Sequence, residues 1–357
     1  MAYTTIDNPG LFFNTITYSG NGSNPRTLTG VGFQPDWVWQ KNRTDSNGHT
    51  LADAVRGANK TLSSDGTGAE VTDKSDGHLD AFTSDGFTVG AGSSSDARVN
   101  DGSHTYVAWN WKANGSGSSN GDGSITSTVS ANTTAGFSII SYTGTGSNAT
   151  VGHGLGSVPK WIITKRYDGA TENWGVYHAS TGNTKYLFLN KTNAEATSSA
   201  YWNDTTPTSS VFSIGTNDVV NTSSGVYIAY CFAEKQGYSK FGKYTGNGNA
   251  NGTFVYTGFK PAWILIKDTG STQSWFMYDN KRDTINPNTK LLTANNSSAE
   301  EDSASTGNTF DVDFLSNSVK IRTTDGGVNT SGNEYVYSVF AENPFVTEGT
   351  KAAGTAK

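Results

Sequence analysis

One short segment occurs three times in the chain and constrains the fold more than any other feature. Each copy places a Pro two residues before a Trp and a Lys four residues after that Trp; the copies lie at 32–41, 155–165 and 258–267. A Pro cannot donate a hydrogen bond to a neighbouring strand, so it marks the point where a strand begins. The apolar run at the Trp is typical of a buried strand, and the Lys is expected to return the chain to water. The segment therefore predicts a central strand, present three times, with equivalent core residues Trp37, Trp161 and Trp263.

Further matched blocks extend each copy into a longer repeat. A Tyr and a glycine-rich turn lie 17 residues before each Pro, and an aromatic strand closes each repeat at 106–111, 227–232 and 335–340. Repeats of about 100 residues are too long for solenoid units, which run roughly 20 to 50 residues. We therefore expect an all-β chain of three tandem β-sandwich domains of the jelly-roll or lectin-like kind. The predicted divisions are 1–112 (repeat 1 with its N-terminal lead-in), 113–136 (Gly/Ser-rich flexible linker), 137–236 (repeat 2), 237–345 (repeat 3) and 346–357 (C-terminal tail).

Composition excludes several classes of protein. The net charge of −6 offers no basic surface for a nucleic acid, and the single cysteine, Cys231, rules out an intramolecular disulfide framework. No stretch approaches the ~20 apolar residues that span a membrane. The N-terminus lacks the basic and apolar regions of a signal peptide, so we expect synthesis in a cytoplasm without signal-directed export.

The polar residues form no recognisable catalytic pattern. Asp73, Asp76 and Asp80 could belong to a metal-binding loop, but their spacing does not fit an EF-hand, and a solvated loop is the plainer interpretation. The five histidines share no metal-ligand spacing, and neither a Gly-x-Ser-x-Gly elbow nor a phosphate loop occurs. The sequence therefore predicts no enzyme, with no catalytic residue, metal site or cofactor.

The aromatic residues outside the repeated Trp position can be interpreted in two ways. They could pack in the core, or they could stack on sugar rings at the rim of a sandwich, because an aromatic ring offers a large apolar face. The candidates for glycan contact are Trp174, Tyr177, Trp202, Trp275 and Tyr278.

The repeat pattern also resembles a known group of proteins. The resemblance rests on Met-Ala-Tyr-Thr-Thr-Ile-Asp at 1–7, the Tyr-x-Gly-Asn-Gly turn, Gly-Phe-x-Pro-Asp-Trp-Val-Trp-x-Lys at 32–41, and Tyr-Val-Ala-Trp-Asn-Trp-Lys-Ala at 106–113. These blocks look like virion structural proteins of marine tailed bacteriophages, which are similar to tail-fibre-like or capsid-appendage proteins with repeated lectin-like β domains. The resemblance implies location in a virion, other virion proteins as partners, and a homo-oligomer for which we expect a trimer.

Two functions remain open at this point. The chain could be a virion appendage that contacts host surface glycans during attachment, or a purely architectural capsid-decoration or adaptor protein that binds no ligand. An adhesin should expose aromatic residues clustered at one end, whereas an architectural protein should show apolar or main-chain contacts at its termini and a bland outer face. Neither function predicts nucleic-acid or membrane binding.

Overall fold

The chain is all-β, as expected, in a computed structural model that describes residues 4–94, 98–307 and 309–346. Antiparallel sheets account for most of the regular structure, and the helices are single turns. The predicted C-terminal tail lies outside the described residues from 347 onward. We call the three repeats units 1, 2 and 3, with the boundaries predicted above.

Unit 1 consists of one larger and one smaller sheet. Its elements are a 3-10 helix at Pro9–Leu11 and strands β1 (Phe13–Ser19), β2 (Arg26–Thr29), β3 (Trp37–Asn42), β4 (Thr50–Asp53), β5 (His78–Thr83), β6 (Gly86–Gly90) and β7 (Thr105–Trp111). The larger sheet has the order β1-β7-β3-β4, and the smaller one has the order β2-β6-β5.

Unit 2 repeats this order within a wider sheet. Its elements, with those of the preceding segment, are β8 (Ser118–Asn120), β9 (Ser127–Asn132), β10 (Phe137–Thr143), β11 (Ala149–Gly152), β12 (Pro159–Arg166), β13 (Gly175–His178), β14 (Lys185–Phe188), β15 (Ala196–Thr197), α1 (Ser199–Trp202), β16 (Val211–Ile214), α2 (Asp218–Asn221) and β17 (Val226–Ala233). The sheet order is β15-β14-β13-β12-β17-β10-β9-β8, in which β10-β17-β12-β13 corresponds to the sheet of unit 1. Strands β11 and β16 form the smaller sheet.

Unit 3 has the same plan. Its elements are β18 (Ser239–Thr245), β19 (Phe254–Tyr256), β20 (Phe259–Asp268), β21 (Phe276–Asp279), β22 (Lys290–Thr293), β23 (Glu301–Asp302), α3 (Ser303–Thr306), β24 (Val312–Phe314), β25 (Ser318–Ile321), α4 (Gly326–Asn329) and β26 (Glu334–Pro344). The larger sheet has the order β18-β26-β20-β21-β22-β23, and the smaller sheet has the order β19-β25-β24.

The segment 113–136, which we predicted to be a flexible linker, is instead part of a sheet. Strand β9 pairs with β10 over several residues, and β8 pairs with β9. Ile125, Ser127 and Val129 are buried while the residues between them are exposed. This period of two is a strand pattern, and the Gly, Ser and Asn around it concealed it in the composition.

The central strand of each unit is buried on both faces. In β3, Trp37 and Trp39 belong to one apolar cluster while Val38 belongs to another, and strands β12 and β20 divide their side chains in the same way. One cluster lies between the larger and the smaller sheet of a unit, and we call it the outer core. A sheet that is covered on both faces requires a continuous apolar strand, which explains the unbroken apolar run at each repeated Trp.

The second cluster, the central core, is shared by all three units. Trp37 of unit 1 stacks on Tyr230 of unit 2, with ring centroids 4.3 Å apart. Trp263 of unit 3 lies 5.7 Å from Trp111 of unit 1 and 6.5 Å from Trp161 of unit 2. The expectation of three domains with separate cores is therefore wrong in this respect, because each larger sheet uses its second face to contact the other two units.

The repeated Trp residues do occupy equivalent places in this central core. Each is fully buried and faces an aromatic residue on the closing strand of its own unit; the pairs are Trp37 with Trp111, Trp161 with Phe232, and Trp263 with Phe340. Their indole nitrogens have no hydrogen-bond acceptor within the described residues. Packing among aromatic rings therefore defines their role.

The repeated Tyr-x-Gly block joins the first strand of the larger sheet to the segment that precedes the closing strand. Tyr142 stacks on Tyr227 with centroids 5.1 Å apart, and its hydroxyl donates to the carbonyl of Val220 at 2.8 Å. A Cβ on Gly144 would lie 2.3 Å from the carbonyl oxygen of Thr222, so only glycine fits there. Units 1 and 3 repeat the stacked Tyr pair, the hydroxyl bond and the close glycine approach.

Candidate functional site

The five aromatic residues that we predicted as candidates for glycan contact are all buried. The exposed fractions are 0% for Trp174, 3% for Tyr177, 2% for Trp202, 2% for Trp275 and 0% for Tyr278. The prediction is therefore wrong for these residues, because none presents a ring face to solvent. Tyr177, Trp202 and Tyr278 pack in outer cores, whereas Trp174 and Trp275 lie in the central core, where their units meet.

We call the contact between two neighbouring units a seam, and equivalent residues build all three seams. The indole nitrogen of Trp174 in unit 2 donates to the carbonyl of Ser63 in unit 1 at 2.9 Å. The indole nitrogen of Trp275 in unit 3 donates to the carbonyl of Phe188 in unit 2 at 2.8 Å. In unit 1 the equivalent residue is His49, whose Nε2 lies 3.1 Å from the carbonyl of Thr293 in unit 3. The contacts run from unit 2 to 1, 3 to 2 and 1 to 3, which is the pattern of a closed ring.

A second set of seam contacts lies opposite the repeated Trp residues. Tyr230 of unit 2 donates its hydroxyl hydrogen to the Asp53 carboxylate of unit 1 at 2.8 Å. Trp109 of unit 1 donates to the Asp279 carboxylate of unit 3 at 3.0 Å. Within their own units, Asp53 and Asp279 each form a fully buried ion pair with an arginine three residues later at 2.6 Å. Two of the three seams therefore contain a buried carboxylate that binds its own arginine and a donor from the neighbouring unit.

The third seam has different chemistry at the same position. His178 takes the place of the aspartate in unit 2, and its Nε2 lies 3.1 Å from the backbone carbonyl of Tyr337 in unit 3. Its Nδ1 accepts a hydrogen bond from the backbone nitrogen of Ser180 at 3.2 Å. Burial lowers the pKa of His178 to about 4. The ring is therefore neutral at pH 7, with its hydrogen on Nε2 facing the carbonyl.

The repeated Lys does not return the chain to water, contrary to our expectation. Lys41, Lys165 and Lys267 are fully buried. The Lys165 ammonium donates to the carbonyl of Thr67 in unit 1 at 3.0 Å, and the Lys267 ammonium donates to that of Thr192 in unit 2 at 3.2 Å. Burial lowers the pKa of Lys165 and of Lys267 to about 8. Lys165 and Lys267 therefore belong to the seams, where backbone carbonyls take the place of water, while the Lys41 ammonium donates to the carbonyl of Asn42 in its own unit at 2.7 Å.

Backbone hydrogen bonds complete the ring. The backbone nitrogens of three equivalent glutamates bond to carbonyls of the neighbouring unit at 2.9–3.2 Å: Glu70 to Tyr167, Glu195 to Thr269, and Glu300 to Arg43. The Glu300 carboxylate also binds Arg43 at 2.7 Å across the seam between units 3 and 1. Each seam thus combines aromatic packing, buried polar pairs and backbone bonds.

The acidic loop of unit 1 is held together by internal pairs. Asp80 lies 2.8 Å from the Lys74 ammonium and 2.9 Å from His78 Nε2, and Asp76 accepts a hydrogen bond from Ser94 at 2.6 Å. Within residues 4–94, 98–307 and 309–346, no group of three or more His, Cys, Asp or Glu side chains is arranged to hold a metal ion.

Sequence reasoning missed the polar seam residues, although the repeats contained a signal for them. Asp-x-x-Arg occurs at 53–56 and at 279–282, in both cases 16 residues after the repeated Trp. An alignment of the repeats beyond their apolar blocks would have paired these residues and, with a one-residue insertion in unit 2, placed His178 at the same position as the exception. Their inter-unit role could not have been inferred, because nothing in the spacing shows that the units share a core.

A family sequence model described as a domain of unknown function, DUF7483, matches residues 8–344. The chain belongs to this family. The DUF7483 match crosses all three units. Searches of curated proteins and of solved structures found no match. None of the helices that the structure describes has the length and apolar character needed to cross a membrane.

Proposed function

We propose that this DUF7483 chain is a structural subunit of a virion, located in a tail-fibre-like or head appendage, and that it carries out no enzymatic turnover. The main support is the closed ring, in which buried aromatic and charged side chains from each unit are used to hold the next one. The resemblance of the repeated blocks to virion structural proteins of marine tailed bacteriophages supports the virion location.

Of the two roles that the sequence left open, the architectural one is better supported. The five aromatic residues on which the adhesin interpretation rested are buried in cores. A capsid-decoration or adaptor protein needs a rigid body with few mobile side chains, and three seams built of buried contacts suit that need. Host attachment would require a different surface.

We further propose that each unit is a variant of a lectin-like or jelly-roll β-sandwich. The support is the layer structure of each unit, in which a larger antiparallel sheet and a smaller sheet pack around an apolar outer core. Such sandwiches keep their binding surfaces on exposed loops and sheet faces, so function would be sought there and not in the central core.

Other virion proteins and further copies of this chain are the proposed partners, and a trimer is the proposed assembly. A ring of three like units presents three like faces, which suits a partner arranged around a threefold axis. Size-exclusion chromatography with light scattering on the full chain should give three chain masses. A monomer at high concentration would contradict the trimer while leaving the virion location open.

The virion location is tested by finding the protein on particles. Antibodies against the purified chain should label intact particles at one repeated position, and the chain should co-purify with particles through a density gradient. If the chain is present in the host lysate but absent from the particles purified from that lysate, the proposal is overturned. Hydrolysis of host polysaccharide by the purified chain, abolished by one carboxylate substitution, would overturn the non-enzymatic part.

A further inference from the structure

Two aromatic side chains on strand β19 of unit 3 face solvent. Phe254 and Tyr256 are each 51% exposed, whereas Val255 between them is buried in the outer core. Successive side chains of a strand point to opposite faces. The two rings therefore share the outward face of the smaller sheet, roughly 7 Å apart along the strand.

The other two units show that the fold does not need these rings. Strand β2 of unit 1 and strand β11 of unit 2 pair with their neighbours in the same register. At the positions of Phe254 and Tyr256, unit 1 carries Thr27 and Thr29, and unit 2 carries Thr150 and Gly152. Small or polar residues thus suffice for the sheet, and half of each ring in unit 3 remains in water. Because packing within the fold does not explain the aromatic pair, we interpret it as a contact surface for another molecule.

A polar groove of about 300 Å³ lies beside Tyr256. Glu234 and Gln236 line it from the connection between β17 and β18, and Ser239 and Lys240 line it from β18. The Lys240 ammonium lies 4.9 Å from the centre of the Tyr256 ring and donates to the Tyr256 carbonyl at 2.9 Å. These two contacts hold the Lys240 ammonium beside the Tyr256 ring.

We propose that this surface, the β19 platform (Phe254, Tyr256, Lys240, Glu234 and Gln236), binds a glycan that contains pyranose rings. A pyranose has an apolar C–H face and a rim of hydroxyl groups. The apolar face stacks on an exposed aromatic ring, while the carboxylate, amide and ammonium groups of the groove bind the hydroxyl rim. The inference adds a ligand to the architectural role proposed above, and it does not depend on the virion location, because the purified chain would bind the sugar whether or not it belongs to a virion.

The size of the platform favours a small ligand over a protein partner. Ligand sites commonly measure about 300–1,000 Å³, and the groove falls at the lower end of that range. A specific protein interface buries at least about 1,000 Å² with a well-packed apolar centre, whereas this groove is lined mainly by polar and charged groups. One or two sugar rings along β19 match the spacing of the two aromatic residues.

Saturation-transfer-difference NMR on the full chain tests the platform directly. The probes are the methyl pyranosides of glucose, galactose and mannose and oligosaccharides of the same sugars. We expect saturation of the ring C–H protons of at least one probe. Tyr256→Thr and Phe254→Thr, which install the residues of unit 1, should each weaken binding at least about fivefold through loss of one stacking face. Tyr256→Phe should retain binding because the ring face remains.

Two controls separate binding from folding and from general exposure. Ile285→Thr changes a side chain that is 73% exposed and outside the platform, and it should leave binding unchanged. Lys240→Met leaves both rings in place and should weaken binding through loss of a polar contact. The proposal is overturned if the unchanged chain binds no probe, or if Phe254→Thr with Tyr256→Thr leaves binding intact. A dimer of the unchanged chain that this double substitution dissociates, without any sugar binding, would identify the platform as a protein contact instead.

Discussion

The seam between units 1 and 2 and the seam between units 2 and 3 solve the same packing problem with opposite chemistry. In the first, Tyr230 extends a hydroxyl donor to the Asp53 carboxylate. In the second, the residue equivalent to Tyr230 is Ser338, which is too short to reach across. His178 replaces the aspartate there and donates to the backbone carbonyl of Tyr337. At the first seam unit 2 supplies the hydrogen-bond donor and unit 1 supplies the acceptor. At the second seam unit 3 offers a backbone acceptor and unit 2 supplies the donor.

The difference extends to the charge of the buried group. Asp53 requires Arg56 beside it, because a buried carboxylate without a partner is strongly unfavourable. His178 is followed at the same spacing by Thr181, whose hydroxyl donates to the His178 carbonyl at 2.9 Å. A neutral pair therefore replaces an ion pair. The comparison shows that the seam conserves geometry and hydrogen-bond complementarity, while the residue types change together.

The largest expected effect is at the charged seam. Asp53→Ala should destabilise the chain by up to about 3–5 kcal/mol, because the Tyr230 hydroxyl loses its acceptor and the buried Arg56 guanidinium keeps Glu70, at 3.2 Å, as its remaining carboxylate partner. Urea-induced unfolding followed by tryptophan fluorescence measures the loss. Asp53→Leu combined with Arg56→Leu is the matched control and should cost less than Asp53→Ala, since it removes both buried charges together and Glu70 keeps the Lys60 ammonium at 3.6 Å. An equal loss in the two variants would show that cavity formation dominates.

The neutral seam should respond to acid. The pKa of His178 is about 4 in the folded chain and 6.5 without the fold, so between these values the unfolded chain binds a proton that the folded chain does not. The contribution of His178 is complete above pH 6.5 and falls by about 3 kcal/mol as the pH drops towards 4. His178→Gln, whose amide can still donate, should have a shallower dependence over this window. The pKa of Asp279 is lowered from its usual value of 3.8, so protonation of Asp279 affects stability only at a pH below this window. Parallel curves for the two proteins would contradict the assignment.

Much of the fold could be predicted from the sequence because the repeats carry their own evidence. Three copies of one apolar segment at fixed offsets from a Tyr block predicted the all-β class and the burial of Trp37, Trp161 and Trp263. The shared core was missed because an apolar strand such as Trp-Val-Trp indicates burial on both faces but does not show what covers the second face. A strand whose second face is covered by another layer of its own unit has the same apolar pattern as a strand whose second face is covered by a different unit.

The polar residues were harder to predict for a related reason. A Lys after an apolar strand usually reaches water, and Lys165 does not, because carbonyls from unit 1 and from its own loop surround the ammonium. That environment is assembled by residues about 100 positions apart. The aromatic candidates failed likewise, since Trp174 and Trp275 can be recognised as seam residues only after the units are placed around one core. The exposed pair Phe254 and Tyr256 was overlooked because it lies in a short strand.

A smaller loss is expected when the seam donor alone is removed. Tyr230→Phe should cost about 1.5–3 kcal/mol, the usual range for a hydrogen bond to a charged group, because Asp53 keeps Arg56 but loses the bond from unit 2. Tyr227→Phe is not a suitable control, since its hydroxyl bonds within unit 2 at two sites. A double-mutant cycle with Asp53→Asn isolates the pair. A coupling energy near zero would mean that the seam is held by packing and not by this bond.

The smallest effect is expected at Ser338, the residue that takes the place of Tyr230 at the neutral seam. The acceptor for His178 is the backbone oxygen of Tyr337, which no side-chain substitution removes. Ser338→Ala should therefore cost less than about 1 kcal/mol, as is usual when a substitution breaks no buried network. It should also leave the acid dependence of His178 unchanged, because burial of the ring and its carbonyl partner both persist. Urea unfolding at pH 7 and at pH 5 measures both quantities. A loss as large as that of Tyr230→Phe would show that the serine hydroxyl takes part in the seam, and the two seams would then share a side-chain contact at this position.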